Sequence, residues 1–178
     1  MGLLDWVRRG RADGGNELKH WRNAWAEAAA APEPETLARL RVQLEAAPGP
    51  EEEKEVEREM LDGLSALVDL LGSIRASGLP RVETGHRAAA GLPCHFSAPC
   101  SLPDDPAQPT GRLLMTTQRA VFAGPGQAVV PWHAVTEVVQ IDRDIVLVLR
   151  SGHRVYRFRC NSFTDALTGA CIARQLRS

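Results

Sequence analysis

Residues 111–124 read GRLLMTTQRAVFAG. Two apolar runs, Leu113–Met115 and Ala120–Ala123, flank a polar centre, Thr116-Thr117-Gln118-Arg119. Short apolar runs separated by a few turn-forming polar residues read as a tight antiparallel hairpin with one buried face. A third run ends in Val129-Val130-Pro131-Trp132. Further on, Asp144–Arg150 (DIVLVLR) is an almost unbroken β-branched and Leu run, the mark of a well-buried strand. Ser151-Gly152 supplies a turn. In residues 154–160, Tyr156, Phe158 and Cys160 alternate with Val155, Arg157 and Arg159. Successive strand side chains point to opposite faces, so the first set is expected in the core and the arginines at solvent or a ligand.

Ser162 then opens a closing helix with Asp165 three residues on, in the manner of a capping box. Phe163, Ala166, Leu167, Ala170, Ala173 and Leu176 form its apolar stripe.

Upstream the period changes from two to between three and four. Gly14-Gly15 is expected to break the chain, with Asn16 capping a helix over about 17–31 that carries Leu18, Trp21 and Trp25 on one face. After Pro32 and Pro34 a second helix is expected at 35–47 with Leu37, Leu40 and Leu44 inward. Pro48-Gly49-Pro50 turns the chain. A third, long helix follows at 51–76, its first turn rich in Glu, which suits the positive end of the helix dipole. Residues 78–111 hold six prolines, one expected strand near Cys94–Ser97 and an exposed loop at 104–110. The fold class expected is α+β. Residues 1–80 are read as a helical hairpin or three-helix unit, and residues 81–178 as an antiparallel β-barrel capped by one helix.

Composition narrows the function. Net charge is −1, which favours neither nucleic acid nor a charged membrane globally. The halves differ, however. Residues 31–62 hold ten acids against four bases, and residues 111–178 hold nine arginines against four acids. No apolar run approaches the roughly 18 residues that span a bilayer. Four cysteines without a secretory h-region point to a reduced, cytoplasmic setting. The Ala, Arg, Gly and Pro content suggests a GC-rich bacterial genome.

The segments GRLLMTTQRAVFAG, VVPWHAVTEVV and DIVLVLRSGHRVYRF, with the closing helix, resemble a pleckstrin-homology-like domain of the bacterial and GRAM type. The resemblance spans about residues 90–178. It rests on Leu113, Met115, Thr116, Arg119 and Phe122 of the hairpin and on Val130, Pro131, Trp132 and Val135. It implies a seven-stranded, strongly bent sheet or partly open barrel plugged by the helix, a scaffold used for phosphoinositide, peptide or protein binding. The lysine-rich first loop typical of inositol-lipid binders in that fold is missing here.

Candidate ligand-binding residues are Arg150, His153, Arg154, Arg157 and Arg159, because guanidinium groups pair in bidentate fashion with carboxylate or phosphate. The alternative is a solvated strand face. Their anion is expected in a protein or peptide partner, an anionic lipid surface, or the Glu51–Glu59 run of the same chain. Leu3, Leu4, Trp6 and Val7 with Arg8, Arg9 and Arg11 add a short basic, apolar cluster. It would suit a peripheral adaptor at the inner membrane face.

Cys94, His95 and Cys100, with Cys160 or Cys171, lack metal-ligand spacing, so neither metal nor cofactor is expected. Cys160 with His153 is the nearest approach to a thiol catalyst, and no nucleophile, phosphate-loop or metallohydrolase motif occurs. The function expected is therefore non-enzymatic: an interaction module for a protein or peptide, without nucleic acid.

Overall fold

The computed structural model describes residues 3–126, 128–150 and 154–178. Among them are four α-helices: α1 (Leu3–Ala30), α2 (Pro34–Ala46), α3 (Glu55–Ser77) and α4 (Phe163–Arg177). Seven strands follow the first three helices: β1 (Cys94–Ser101), β2 (Thr110–Thr116), β3 (Arg119–Ala123), β4 (Ala128–Pro131), β5 (Val135–Ile141), β6 (Asp144–Leu149) and β7 (Val155–Cys160). The class is α+β. All strand pairs are antiparallel, in the order β4-β3-β2-β1-β7-β6-β5.

The 111–124 hairpin forms as read. Thr116 closes it: its hydroxyl accepts from the N–H of Arg119 (3.2 Å) and donates to the Arg119 carbonyl (3.0 Å). Trp132 donates its indole N–H to the Thr116 carbonyl at 2.8 Å, tying the turn to the end of β4. The flanking Gly111 and Gly124 are required by close approach. A Cβ at Gly111 would lie 2.6 Å from the Ala123 carbonyl oxygen, and one at Gly124 would lie 2.9 Å from the Phe122 ring.

The sheet is open rather than a closed barrel. Edge strand β4 is four residues long and ends at Pro131, which has no N–H to donate. At the opposite edge, the outward carbonyls of Thr136 and Val138 on β5 accept from the Arg177 and Arg174 side chains of α4. Neither edge is left with a full ladder to offer the other.

Helix α4 lies between two apolar layers. Ala166, Ala170, Ile172 and Ala173 join the core of the sheet, with Phe96, Leu113, Met115, Phe122, Ile145, Leu147 and Phe158. Phe163, Leu167 and Cys171 join the core of the helical unit, with Trp25, Leu40, Leu44, Met60, Leu64 and Leu67. The two tryptophans cross-link that unit: Trp21 donates to the Leu40 carbonyl and Trp25 to the Met60 carbonyl, both at 2.8 Å. Trp25 also meets Phe163 edge-on, with ring centroids 5.6 Å apart. Ser162 caps α4 by accepting the Asp165 N–H at 3.0 Å.

Three local expectations are corrected. Helix α1 runs through Gly14-Gly15, so Asn16 is no N-cap. Each glycine costs a helix only about 1 kcal/mol and removes no hydrogen bond, which the packing of Trp21 and Trp25 outweighs. A 3-10 turn, Glu51–Lys54, precedes α3, which therefore starts at Glu55. Strand β1 also extends past the expected Ser97, to Ser101.

Candidate functional site

Strands β5, β6 and β7 present a three-by-three outer face. Their register places Ile141, Asp144 and Arg159 in one row and Val139, Val146 and Arg157 in the next. Glu137, Val148 and Val155 form the third row. The core residues Ile145, Leu147 and Phe158 occupy the opposite face, as alternation requires. The β6 run is thus apolar on both faces, yet only one is buried. Val146 and Val148 are half-buried, and Val155 and Ile141 are 51% and 54% exposed.

The corresponding outer face of the other half-sheet is covered. Leu114 and Val121 are buried there against Ala88, which belongs to a 3-10 turn, Arg87–Ala89, in the segment before β1. That segment is laced to β1. Val82 donates its N–H to the Cys94 carbonyl at 2.8 Å, and the His95 ring Nδ1 lies 2.7 Å from the Pro80 carbonyl oxygen.

Asp144 organises the charged row. It sits at the first position of β6 with its side chain buried, and its two oxygens hold two guanidinium groups. Arg159 donates to it through Nε (2.9 Å) and an Nη (3.2 Å), and Arg157 donates from the neighbouring row. Burial alone would raise the Asp144 pKa. The hydrogen bonds from Arg159 and Arg157 outweigh it and hold the carboxyl below its usual value. The reciprocal effect raises Arg159 above its ordinary value, chiefly through the Asp144 hydrogen bond. Arg157 also lies 3.7 Å from Asp104, on the loop between β1 and β2.

The five expected site residues are therefore only partly brought together. Arg157 and Arg159 share Asp144. Arg150, just past β6, is exposed, and its backbone N–H donates to the Ala134 carbonyl at 2.8 Å. Arg154 lies over the Tyr156 ring, 5.3 Å from its centroid, on the side of β7 away from the two paired arginines. His153, with Ser151 and Gly152, lies outside the described residues, as do the side chains of the cluster at residues 3–11.

The acidic helix reaches the sheet by a different contact from the one expected. Glu59 on α3 accepts the Phe163 N–H at 3.0 Å and pairs with Arg143 in the β5–β6 turn. The Arg143 guanidinium also lies over the Phe163 ring, 5.2 Å from its centroid. Glu51 instead pairs locally with Arg58 and Lys54. Beside this junction is a cleft of about 510 Å³ lined by Val56, Ser101, Arg143, Arg159, Cys160 and Phe163, among others.

Asp144, Arg143 and Glu59 were not singled out by the sequence reading. Asp144 carried one usable signal: it shares the outward alternation of Val146 and Val148 and lies one hairpin away from Arg157 and Arg159.

Cys94 donates its thiol to the Phe96 carbonyl (3.1 Å), His95 is held at Pro80, and Cys100 lies at the β1–β7 seam. Among the described residues, no three His, Cys, Asp or Glu side chains gather as metal ligands would. Cys160 is buried, and burial first, then Cys100, pushes its thiol far above the ordinary value. That is the reverse of what activates a nucleophilic cysteine. Among the described residues, no helix is long and apolar enough to cross a membrane.

No family model matches the chain, nor does the sequence of any curated protein. Among solved structures, the chain is similar to the C-terminal domain of an unknown protein from Leishmania infantum, with 12% identity and a TM-score of 0.44. That match covers 51% of this chain and 90% of the other. It is also similar to the ternary complex between human RhoA, its inhibitor and the DH/PH domain of human ARHGEF11, with 15% identity and a TM-score of 0.40. Here the match covers 99% of this chain and 56% of the other.

Proposed function

We propose that the chain is a non-enzymatic interaction module of the pleckstrin-homology-like type, which holds a protein or peptide partner on the outer face of β5, β6 and β7. Seven antiparallel strands with one C-terminal helix laid on the inner face are compatible with the layout that the sequence resemblance implies. The observation that carries the reading is the asymmetry between the half-sheets. The outer face of β1–β3 is covered by the chain's own connector. The outer face of β5–β7 offers Val139, Val146, Val148 and Val155 beside two arginines already oriented by Asp144. An apolar centre with a fixed polar rim is the anatomy of a protein-binding patch, and the prior orientation of the arginines lowers the entropy cost of binding. In this reading residues 81–178 bind, and the acidic helices modulate them through the Glu59–Arg143 contact.

The test is site-specific photo-cross-linking in the native host. A photoreactive residue at Val155 is compared with one at exposed Gly72 on α3. Discrete protein adducts from position 155, absent at 72 and weakened by Arg157→Glu, support the module. Failure of position 155 to capture protein, with salt-sensitive binding of the chain to anionic vesicles, transfers the function to a peripheral membrane adaptor.

A further inference from the structure

The two half-sheets are joined by a short seam. Strands β1 and β7 pair over two register positions only, Cys100 with Cys160 and Ser101 with Arg159. Cys160 donates its N–H to the Arg143 carbonyl on the β6 side (2.8 Å). It therefore stands opposite Cys100 at a non-hydrogen-bonded position of the β1–β7 ladder. At such positions facing Cα atoms approach to about 4.5 Å and the side chains are closest. A disulfide bridges Cα separations of roughly 4.4–6.8 Å. Both residues point into the core of the sheet, and both are free thiols.

We propose that Cys100 and Cys160 form a latent dithiol site, which a small peroxide oxidises to a cross-strand disulfide that staples the two halves of the sheet. This inference is independent of what the outer face binds.

The chemistry balances with hydrogen peroxide as the two-electron oxidant. Cys160 borders the cleft beside Arg143 and Arg159, so the first step is assigned to its thiol, reached when the seam opens. Its thiolate attacks one peroxide oxygen, the O–O bond breaks, and a sulfenic acid and one water result. The Cys100 thiolate then attacks that sulfur, the S–O bond breaks, and hydroxide leaves as a second water. Two thiols lose two electrons and two protons, and the peroxide oxygens end in water.

Burial opposes the first step. It pushes the Cys100 thiol up to about 12 and moves Cys160 in the same direction. Few thiolates are present in the closed seam, so oxidation proceeds through transient opening of a two-pair ladder and is slower than that of free cysteine. Once formed, the bond closes the chain from β1 to β7 into one covalent loop. It also fixes the wall of the cleft that carries Ser101 and Cys160.

The test treats the full-length protein with excess hydrogen peroxide under native conditions, alkylates remaining thiols and maps the peptides. A Cys100–Cys160 linked peptide is expected, reversible by dithiothreitol, with Cys94 and Cys171 still alkylated. Tm is expected to rise by about 4–10 °C, the loop-closure contribution less strain. Cys100→Ala should remove both the linked peptide and the shift. Three results each overturn the proposal. One is sulfinic acid on Cys160 without the linked peptide. A second is a link that forms only in urea. The third is native protein whose thiols all stay alkylatable under conditions that oxidise the urea-unfolded chain.

Discussion

Replacing glycine by alanine at two helical sites, Gly72 on α3 and Gly169 on α4, should move stability in opposite directions. Gly72 is exposed, and a Cβ built there meets nothing within 4 Å. Only the helix term acts, so Gly72→Ala should gain about 1 kcal/mol. For a chain of this length that raises the midpoint by about 2–4 °C. Gly169 gains the same term, but it lies where α4 crosses the sheet. Its Cβ would stand 2.6 Å from Ile145 Cδ1 and 2.8 Å from Phe96 Cζ. Optimal carbon–carbon separations are about 3.5–4.0 Å, so both contacts overlap by most of an ångström. Ile145 can turn its terminal methyl, but the surroundings are close-packed core and the Phe96 ring is fixed in it. Overpacking of this kind costs about 1–3 kcal/mol. Gly169→Ala should therefore be between neutral and about 2 kcal/mol less stable than the wild type. The difference between the two variants, about 1–3 kcal/mol, isolates the steric term because helix propensity cancels. Urea titration followed by far-UV circular dichroism measures both, with equal slopes required for comparison. If Gly169→Ala is as stable as Gly72→Ala, the close crossing of α4 over Ile145 and Phe96 is refuted.

Asp144→Asn should lose about 1–2 kcal/mol at pH 7, since it weakens charge-assisted bonds to Arg157 and Arg159, which are themselves partly solvated. Because the folded carboxyl titrates below its usual value, its contribution is complete above about pH 3.9 and is lost as pH falls through the folded pKa. The acid limb of the stability profile should be steeper for the wild type than for Asp144→Asn, as acid titration at fixed urea would read out. Ser162→Ala should cost about 1 kcal/mol through loss of the α4 cap, measured by the same denaturation. Leu64→Ala, buried between α3 and α4, should cost about 2–5 kcal/mol by calorimetry.

Much of the architecture follows from periodicity. The alternation of Tyr156, Phe158 and Cys160 with the arginines assigns faces correctly, because a strand has a period of two regardless of its neighbours. The stripes of α2 and α4, and Ser162 as a cap, follow from helical spacing in the same way. Where a local signal competed with packing, packing prevailed: Gly14-Gly15 reads as a stop but lies inside α1. The candidate site was half legible. Arg157 and Arg159 could be placed on an outward face, but their shared pairing with Asp144 was not read.

The chain's local pattern alone sets most of its element types, its hairpin and the inward face of β7, since these depend on residues near one another in sequence. Pairings between distant elements needed the folded chain. Glu57 and Glu51 belong to one acidic run, yet Glu57 is buried against Arg22 of α1 while Glu51 stays at the surface with Arg58. In the same way, Glu59 rather than its neighbours meets Arg143 and the start of α4. Cys100 faces Cys160 only because β1 closes on β7. Burial and partner are properties of position in three dimensions. Chemically equivalent residues a few positions apart acquire different roles when the layers stack.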